Sequence, residues 1–493
     1  MSNVENAFHR FVQGTALVFI GDILGAGSSF VVRLGTARYL GPDNYGIIVL
    51  GITVVEVLSI VSLLGLPEGI ARNLGRTDEP STMYAPLLAS ISTAGIFAVG
   101  LVLFSNQIVS FFHEPKFLPV LIVFAASLPF VVLTRLIVGI FRGLEKSTWR
   151  VVVQNVLNQT GTAVAVGVGV VLGLRPVGIT GSWFVAPFVA TLIGIYFLYG
   201  HTNLFDISEI TRSLTGPLSW ELLLFSLPLV VSRSLWSLME QSDNFILGYF
   251  KPSSVVGVYD AAFTVPRVLL VVHTAIGFLF LPIFSDLATV GDADEMDRFY
   301  KLVTKWMALV SLPVYCLILA FPKPILSITF GAEYESATNL LLLISTGFFI
   351  HIIAGINEHG LIALGRTRTI LRGNIMCLSL NILLNVTLIP SISAFGAALA
   401  SVSAYIAVNS YWTYRLFSYS GVFPISWTTA KVLLLGFISF FGSLIAVESV
   451  FGRTIGAMVL FTILFVFSYL IVLFVHIEPE EIRFFHMLTE ERS

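Results

Sequence analysis

Apolar stretches of about 20 residues, separated by short polar stretches, follow one another along the whole chain. A hydropathy window of about 19 residues, which matches one membrane-spanning helix, distinguishes fourteen of them. They centre near Phe19, Val57, Ala94, Ala125, Val164, Ala190, Val231, Val272, Val310, Phe348, Leu380, Val402, Gly436 and Ile463. A bilayer core about 30 Å thick takes about 20 apolar residues per helix, so 493 residues accommodate this number with short connections. The pattern predicts an all-α polytopic membrane protein with fourteen transmembrane helices.

The composition agrees with lipid as the main solvent of the chain. Apolar residues make up 56% and charged residues 11%, whereas soluble proteins carry about 25% charged residues. Cys316 and Cys377, the only cysteines, both fall inside apolar stretches, so they offer neither a disulfide framework nor metal-ligand spacing. The connections contain no Gly-rich phosphate loop and no pair of metal-binding carboxylates. We therefore expect a transporter that uses no cofactor or metal and binds no nucleic acid, rather than a membrane-embedded enzyme or an ATP-driven pump.

The distribution of Lys and Arg predicts the orientation. When the amino terminus is placed in the cytoplasm, 17 of the 27 basic residues fall on its side, 7 on the opposite side and 3 inside spans. An excess of basic residues marks the cytoplasmic face. The first span follows a short polar tail without a cleavage-site pattern, so it should be retained. We expect a multi-pass protein of the cell membrane with both termini cytoplasmic.

A weak internal repeat has a period of six spans. Gly143 is followed seven positions later by Arg150 after the fourth span, and Gly365 is followed by Arg372 at the same spacing after the tenth. An even number of spans preserves orientation, so the repeat predicts two parallel lobes related by an axis along the membrane normal. The predicted divisions are an amino-terminal lobe at 1–215, a carboxyl-terminal lobe at 216–420, and two further helices with the tail at 421–493.

Several short segments resemble polysaccharide-biosynthesis flippases of the multidrug/oligosaccharidyl-lipid/polysaccharide exporter superfamily. They are the run from Ala37 to Gly46, Ser226-Leu227-Pro228 followed by Asp243 and Tyr259, the run from Phe330 to Tyr334, Gly365-Arg366, and Asn381 through Pro390 to Gly396-Ala397-Ala398. Their order and spacing cover nearly the whole chain. The resemblance implies two helical lobes around a V-shaped central cavity and the flipping or export of a polyprenyl-linked sugar.

Charged and polar residues recur inside the predicted spans. They include Asp22, Ser29 and Arg33 in the first span, Arg233, Glu240, Asp243 and Asn244 in the seventh, and Asp260, Thr264 and Arg267 in the eighth. A charge at the bilayer centre costs at least about 2.5 to 3.5 kcal/mol, so each should face a wet cavity or a partner. Both predicted lobes therefore offer arginines and carboxylates to a shared interior.

This pattern suits a cargo that carries a phosphate on a lipid and a sugar. Guanidinium groups donate to phosphate in pairs and keep their charge, so Arg33, Arg233 and Arg267 are the candidate phosphate ligands. Amides suit sugar hydroxyls, and the candidates are Asn155, Asn158, Asn381 and Asn385. Carboxylates facing a cavity can take up a cation in one facing state and release it in the other, and these candidates are Asp22, Glu56, Glu240 and Asp243. The coupling ion would be H⁺ or Na⁺.

Each assignment has a structural alternative. Arg33 could extend to the headgroup layer from its helix end. Arg233 and Arg267 could pair permanently with Glu240 or Asp260 within the helix bundle. Glu56 and the four asparagines could instead hold neighbouring helices together through hydrogen bonds.

The preferred hypothesis is a flippase that acts as a monomer. It would move a polyprenyl- or dolichyl-phosphate-linked saccharide across the membrane lipid by alternating access, for surface polysaccharide or glycoprotein synthesis. The alternative is an ion-coupled exporter of small amphipathic compounds, which would share the helix bundle without needing a basic path for a phosphate.

The basic-residue asymmetry predicts which positions a membrane-impermeant thiol reagent reaches. Single cysteines introduced at Asn3, Ser81, Thr367 and Ser493 should be labelled only from the cytoplasmic side, and those at Asn44, Ser253 and Glu333 only from outside. Labelling of position 367 from outside would contradict the arrangement of fourteen spans.

Overall fold

The chain is helical throughout the part that the computed structural model describes. Backbone is described for residues 3–63, 66–67, 69–70, 74, 84–201, 218–451 and 455–476, and side chains for the same residues except 3–16, 84–86, 201, 218–233, 275, 278–279, 450–451, 455 and 474–476. No strand occurs in these ranges. All fourteen predicted segment centres lie in helices, so the all-α prediction is confirmed.

The helices are long and apolar enough for a membrane protein, although fewer of them qualify than the sequence predicts. Eight described helices meet the length and composition needed to cross a bilayer, and ten do if each of two bent pairs counts as one span. Membrane-spanning helices are therefore present. The number fourteen and the lobe boundaries stay predictions.

The helices fall into two compact units, the first formed by residues 1–264, 329–337 and 374–401. Its elements are α1 (Asn3–Leu63), α2 (Tyr84–Leu103), α3 (Ser105–Phe111), α4 (Phe117–Gly143), α5 (Ser147–Val151), a π-helix (Val152–Thr160), α6 (Gly161–Val171), α7 (Pro176–His201), α8 (Leu218–Phe250), α9 (Ser253–Thr264) and a 3₁₀ helix (Ala332–Ala337).

The second unit comprises residues 265–328, 338–373 and 402–493. Its helices are α10 (Arg267–Val290), α11 (Ala293–Ala320), α12 (Pro322–Thr329), α13 (Thr338–Ile353), α14 (Asn357–Ala363), the two ends of α15 (Thr367–Ser420), α16 (Trp427–Phe451) and α17 (Ile455–His476). The middle of α15 belongs to the first unit.

Two of the longest helices each contain one break. The 61-residue α1 is interrupted at Gly41, whose φ of 73° is accessible to glycine at little cost. The 54-residue α15 is interrupted at Ile392 and Ser393, and Ser393 has a φ of 56°. The first break separates the first and second predicted spans, and the second break separates the eleventh and twelfth.

Glycines bring α1 and α9 into backbone contact within the first unit. A Cβ atom on Gly46 would lie 1.7 Å from the carbonyl oxygen of Ser253, and one on Gly257 would lie 2.3 Å from that of Pro42. No side chain fits at either position, so the two helices pack at the smallest separation that backbone atoms allow. This contact sets the position of the ionic groups on α1 and α9.

A π-helical segment faces the first half of α1. The nine residues Val152–Thr160 form it, and such insertions occur frequently at functional sites. A Cβ on Gly21 would lie 2.7 Å from Val151, and one on Gly25 would lie 1.7 Å from the side-chain oxygen of Gln159. These two glycines of the first predicted span therefore allow the close contact between α1 and the segment Val151–Gln159.

Candidate transport site

The carboxylate of Asp243 lies at the centre of a buried polar cluster in the first unit. Its side chain on α8 is 2% exposed. Oδ2 accepts hydrogen bonds of 2.5 Å from the hydroxyl of Tyr259 and 2.5 Å from that of Ser401. Oδ1 accepts from the amides of Asn381 at 3.0 Å and Asn385 at 2.7 Å. We call these five residues the Asp243 cluster.

The cluster offers oxygen atoms as well as donors. The side-chain oxygen of Asn381 accepts from Ser242 at 2.6 Å and from Asn385 at 2.9 Å. The side-chain oxygen of Asn385 is buried and has no hydrogen-bond partner. Carboxylate, amide and hydroxyl oxygens are ligands for hard cations, and a proton could instead sit on the carboxylate. The carboxylate of Asp243 can therefore bind a small cation in place of the hydrogen-bond donors that now surround it.

The guanidinium of Arg33 forms a second buried site in the same unit. Its Nη1 donates to both carboxylate oxygens of Asp260, at 2.7 and 2.6 Å. The hydroxyl of Tyr45 donates to Asp260 at 2.5 Å. The Asp260 side chain is 3% exposed and that of Arg33 is 17% exposed. Arg33 thus has a buried anionic partner on α9 instead of a free position at the headgroup layer.

The backbone surroundings of this pair come from three separate regions of the first unit. The hydroxyl of Tyr334 donates to the carbonyl of Ala37 at 3.0 Å. A Cβ on Gly41 would lie 2.9 Å from the carboxylate of Glu333. The segments near Asn44, Ser253 and Glu333, all predicted to lie outside the cell, therefore meet in one place.

Asp22 faces the π-helix from the first half of α1. It accepts a 3.3 Å hydrogen bond from the amide of Asn155 and lies 3.6 Å from the guanidinium of Arg150. Asn155 also donates to Gln159 at 3.1 Å, and its own side-chain oxygen is buried without a partner. The Asp22 side chain is 45% exposed, so the protein does not enclose it.

Glu56 forms an ion pair with an arginine of α4. The Nη2 of Arg135 donates to both carboxylate oxygens at 2.7 Å, and its Nη1 donates to Ser59 at 2.8 Å. The side chains are 30% and 36% exposed, so the protein encloses this pair less than the Arg33 pair.

The remaining candidates are less closely defined. The side chain of Arg233 lies outside the described residues. Arg267 is half-buried at the first residue of α10 in the second unit, and Glu240 is half-buried on α8. Asn158 is half-buried in the π-helix, where its backbone carbonyl accepts from Thr162 at 2.6 Å.

Several residues of these sites are not among the candidates predicted from the sequence. Arg135 and Arg150 carried a signal, because each is a basic residue in or beside a predicted span. Tyr45 and Ser401 carried none, since hydroxyl side chains are common in transmembrane helices. The amides of Asn381 and Asn385 were assigned to sugar, whereas in this conformation they donate to Asp243.

Comparison with known proteins identifies the relatives of the chain. The family described as "Polysaccharide biosynthesis protein" matches residues 11–288, and the family described as "MatE" matches residues 228–387. The Haloferax volcanii protein named "Probable low-salt glycan biosynthesis flippase Agl15" is 24% identical over 452 residues, which cover 89% of this chain and 91% of that protein.

Two solved structures share the fold. One is titled "Lipid II flippase MurJ, inward closed conformation" and has a TM-score of 0.69 at 14% identity, covering 94% of this chain and 98% of that one. The other is the inward-facing conformation of a multidrug resistance MATE family transporter, with a TM-score of 0.64 at 14% identity and coverages of 79% and 95%.

Because Asp260 is buried, substitution of its partner Arg33 should strongly lower the free energy of unfolding. Arg33→Gln leaves a carboxylate that is 3% exposed without its cation, which should cost about 3 to 5 kcal/mol of unfolding free energy. Arg135→Gln, the matched change at the less enclosed Glu56 pair, should lower the unfolding free energy by less. Thermal unfolding of the purified variants measures the difference.

The double variant Arg33→Gln/Asp260→Asn supplies the control for this comparison. It removes both charges of the pair, so it should recover most of the stability that Arg33→Gln loses. Equal unfolding temperatures for Arg33→Gln and Arg135→Gln would contradict the account of the buried pair.

Proposed function

Because the chain belongs to the polysaccharide biosynthesis protein family, we propose that it is a flippase for a lipid-linked saccharide. The main support for this proposal is the family match, which extends over more than half of the chain, at residues 11–288. The relative Agl15, named as a glycan biosynthesis flippase, aligns along nearly its full length. The protein is therefore a membrane transporter of the cargo rather than a catalyst of its synthesis.

An exporter of small amphipathic compounds is the second candidate, since the fold also resembles a multidrug transporter. The matching multidrug family covers only residues 228–387. Such an exporter does not require an arginine path for a phosphate. Transport of a lipid-linked saccharide, and none of a cationic dye, would separate the two candidates.

The proposed cargo is a saccharide joined through a phosphate to a polyprenyl or dolichyl lipid. It would cross the cell membrane by alternating access, with both termini in the cytoplasm and the protein acting as a monomer. The amino-terminal lobe at 1–215 and the carboxyl-terminal lobe at 216–420 would move, and the helices of 421–493 would flank them. The lipid tail can stay in the bilayer while the polar head passes.

The Arg33–Asp260 pair is the proposed gate on one side of the membrane. Arg33 belongs to the first proposed lobe and Asp260 to the second, so opening a path between these lobes requires the pair to separate. An arriving phosphate can replace the carboxylate of Asp260 as the partner of the guanidinium, because both are bidentate acceptors. Cargo binding would thereby offset the free energy of opening the gate.

The amides of the π-helix are the proposed contacts for the sugar. The side-chain oxygen of Asn155 has no partner, and Asn158 lies nearly one turn further along the same segment. Hydroxyl groups of a sugar can donate to such an oxygen and accept from such an amide. Asp22, which Asn155 contacts, would orient this amide.

The Asp243 cluster is the proposed site of ion coupling. A carboxylate with four internal donors is stable without a cation in the present conformation. Moving α8 relative to α15 would withdraw the amides of Asn381 and Asn385 and turn their oxygens towards the carboxylate. Uptake of Na⁺ or H⁺ would then stabilise the second conformation, which makes the conformational equilibrium depend on the ion gradient. Glu56 and Glu240 remain further coupling candidates.

Cells that lack the protein provide the test of cargo class. The lipid-linked saccharide should accumulate on the cytoplasmic leaflet, where a membrane-impermeant glycosidase cannot reach it in intact cells. A normal distribution between the leaflets would contradict the proposed function.

Removing the charge of Asp243 should weaken the dependence of transport on ion gradients. We expect Asp243→Asn to lower the transport rate in proteoliposomes at least about tenfold, a factor that corresponds to about 1.4 kcal/mol of differential binding. The variant should also lose the response of transport to imposed Na⁺ and pH gradients. Ser401→Ala, which removes only one donor, should change the ion dependence while preserving the fold. Asp286→Asn, at an exposed carboxylate of α10, is the matched control.

A gradient response in Asp243→Asn and Ser401→Ala equal to that of the unaltered protein would exclude the Asp243 cluster from coupling. If Asp22→Asn, Glu56→Gln and Glu240→Gln also retained that response, no carboxylate proposed for coupling on α1 or α8 would carry it.

The arginine path predicts a graded response to substitution. Arg233→Lys and Arg267→Lys keep the charge but lose the planar pair of donors, so flipping should fall, and Arg→Ala at each position should abolish it. Flipping rates in proteoliposomes, with unfolding temperatures measured alongside, separate transport from folding. Full activity of Arg233→Ala or Arg267→Ala would remove that residue from the path, and full activity of the double variant would exclude the path itself.

A further inference from the structure

A shallow cavity opens beside α3 in the first unit, away from the charged clusters. Its volume is about 670 Å³, and it is an open depression rather than an enclosed cleft. The lining residues are Asn106, Gln107, Ser110, Phe111, His113 and Tyr249, and we call this cavity the α3 bowl.

A sharp bend of the chain creates the bowl. The axes of α2 and α3 differ by 72° across Phe104. The bend turns the short α3 aside, and Asn106, Gln107 and Ser110 are all exposed on it. Among the described residues, these three side chains form no hydrogen bond with another protein group. Their donors and acceptors are therefore available to a ligand.

Aromatic rings form the apolar side of the bowl. The ring of Phe111 lies 4.6 Å from that of Tyr249, and Phe112 packs edge-on against Phe245 at 5.3 Å. Phe112 is 4% exposed and anchors the group, whereas Tyr249 is 40% exposed and presents its ring. The bowl thus combines a fixed aromatic wall with amide and hydroxyl groups.

His113 occupies a backbone position that normally favours glycine. Its φ is 55°, at the end of α3, where its N–H donates to Ser110 and the N–H of Glu114 donates to Val109. The equivalent left-handed positions after α10 and α15 are held by Gly291 and Gly421. A side chain other than glycine's costs about 1 to 2 kcal/mol at such a position, so the imidazole stands against the conformational preference of the backbone.

A neighbouring contact fixes the turn that carries His113. The hydroxyl of Ser253 donates to the carboxylate of Glu114 at 2.8 Å. The imidazole of His113 lies 6.3 Å from the ring of Tyr249, measured between centroids, and both line the bowl. The site is consequently preorganised, which reduces the entropy lost on binding a ligand.

The lining chemistry discriminates between ligand classes. It contains no Asp, Glu, Lys or Arg side chain, so it offers no permanent countercharge to a phosphate or to a cationic drug. Amides and hydroxyls both donate and accept, as vicinal sugar hydroxyls require. An aromatic ring face contacts the C–H groups of a pyranose ring, and Tyr adds its own hydroxyl.

The position of the bowl fits the sugar of a membrane-anchored lipid. At the bend, Leu103 is 71% exposed and Phe104 is 58% exposed, as expected of residues that contact lipid. Polar residues follow directly in α3, so the bowl lies where an apolar surface gives way to a polar one. A saccharide attached to a lipid in the adjacent leaflet would lie at this level.

We propose that the α3 bowl, which residues of both proposed lobes line, binds uncharged sugar residues of the lipid-linked saccharide. This inference rests on the proposed function, because it takes the glycan of the same cargo as the ligand. Tyr249 stacks on the pyranose ring, Asn106 and Gln107 bond its hydroxyls, and His113 closes one edge. The bowl would retain the saccharide on its side of the membrane and so oppose its return.

Saturation-transfer NMR on the full chain in lipid nanodiscs tests this binding directly. The probe is the oligosaccharide pool released by mild acid from the lipid-linked saccharides of the source cells. The unaltered protein should transfer magnetisation to pyranose ring protons. Tyr249→Ala should weaken binding at least about tenfold, the change that corresponds to the loss of about 1.4 kcal/mol.

His113→Gly is the decisive variant because it separates binding from folding. Glycine relieves the backbone strain, so the unfolding temperature should stay equal or rise while saccharide binding falls. Glu145→Gly is the matched control, since Glu145 has a φ of 56° and the same helix-end hydrogen bonds after α4. It should gain the same stability without any change in binding, and Tyr196→Ala, at another exposed tyrosine, should also bind normally.

The outcomes distinguish this inference from the function on which it rests. Flipping by the unaltered protein without saccharide transfer signals would overturn the bowl and leave the flippase intact. Wild-type affinity in His113→Gly and Tyr249→Ala would likewise overturn the bowl. If the unaltered protein binds the saccharide but does not flip the lipid-linked saccharide, and if the two variants abolish binding, the result would support the bowl and contradict the proposed function.

Discussion

Hydrocarbon cannot solvate a charge, and this constraint determines how the polar residues of the chain are arranged. Asp243 and Asp260 are 2% and 3% exposed, so each must be surrounded by donors or a cation from the protein itself. Asp260 receives Arg33 and Tyr45, whereas Asp243 receives four neutral donors. The first arrangement is a closed ion pair. The second leaves the negative charge without a permanent cation, which is why we propose it for ion coupling.

Close helix packing makes these partnerships possible. Gly46 and Gly257 remove the side chains that would hold α1 and α9 apart, and Arg33 then reaches Asp260 with both oxygens within 2.7 Å. The same principle operates at Gly25, which admits the amides of the π-helix to the other half of α1. A larger residue at these positions would separate the charged groups from their partners before it altered the overall fold.

The sequence alone predicts the helices and many of the charged and amide residues of the sites, but not which of these residues contact each other. The hydropathy pattern places all fourteen segment centres in helices because the lipid requires long apolar stretches. Asp243 and Arg33 were identifiable because a charge inside such a stretch needs a reason. The pairing of these residues with their partners was not identifiable, since Asp260 lies 227 residues from Arg33 and Asn385 lies 142 residues from Asp243. A single sequence contains no signal for such distant pairs. It contains none for the π-helical hydrogen bonds of Val152–Thr160 either.

The most direct measurement reconstitutes the purified protein into liposomes that carry a fluorescent lipid-linked saccharide in both leaflets. A membrane-impermeant quencher added outside reports the fraction that reaches the outer leaflet. We expect quenching to proceed beyond the initially exposed half without ATP, at a rate that increases with the amount of protein. A matched lipid-linked fluorophore without phosphate and sugar should show no such further quenching. Quenching that stops at the exposed half for the saccharide lipid, in vesicles shown to contain folded protein, would contradict it.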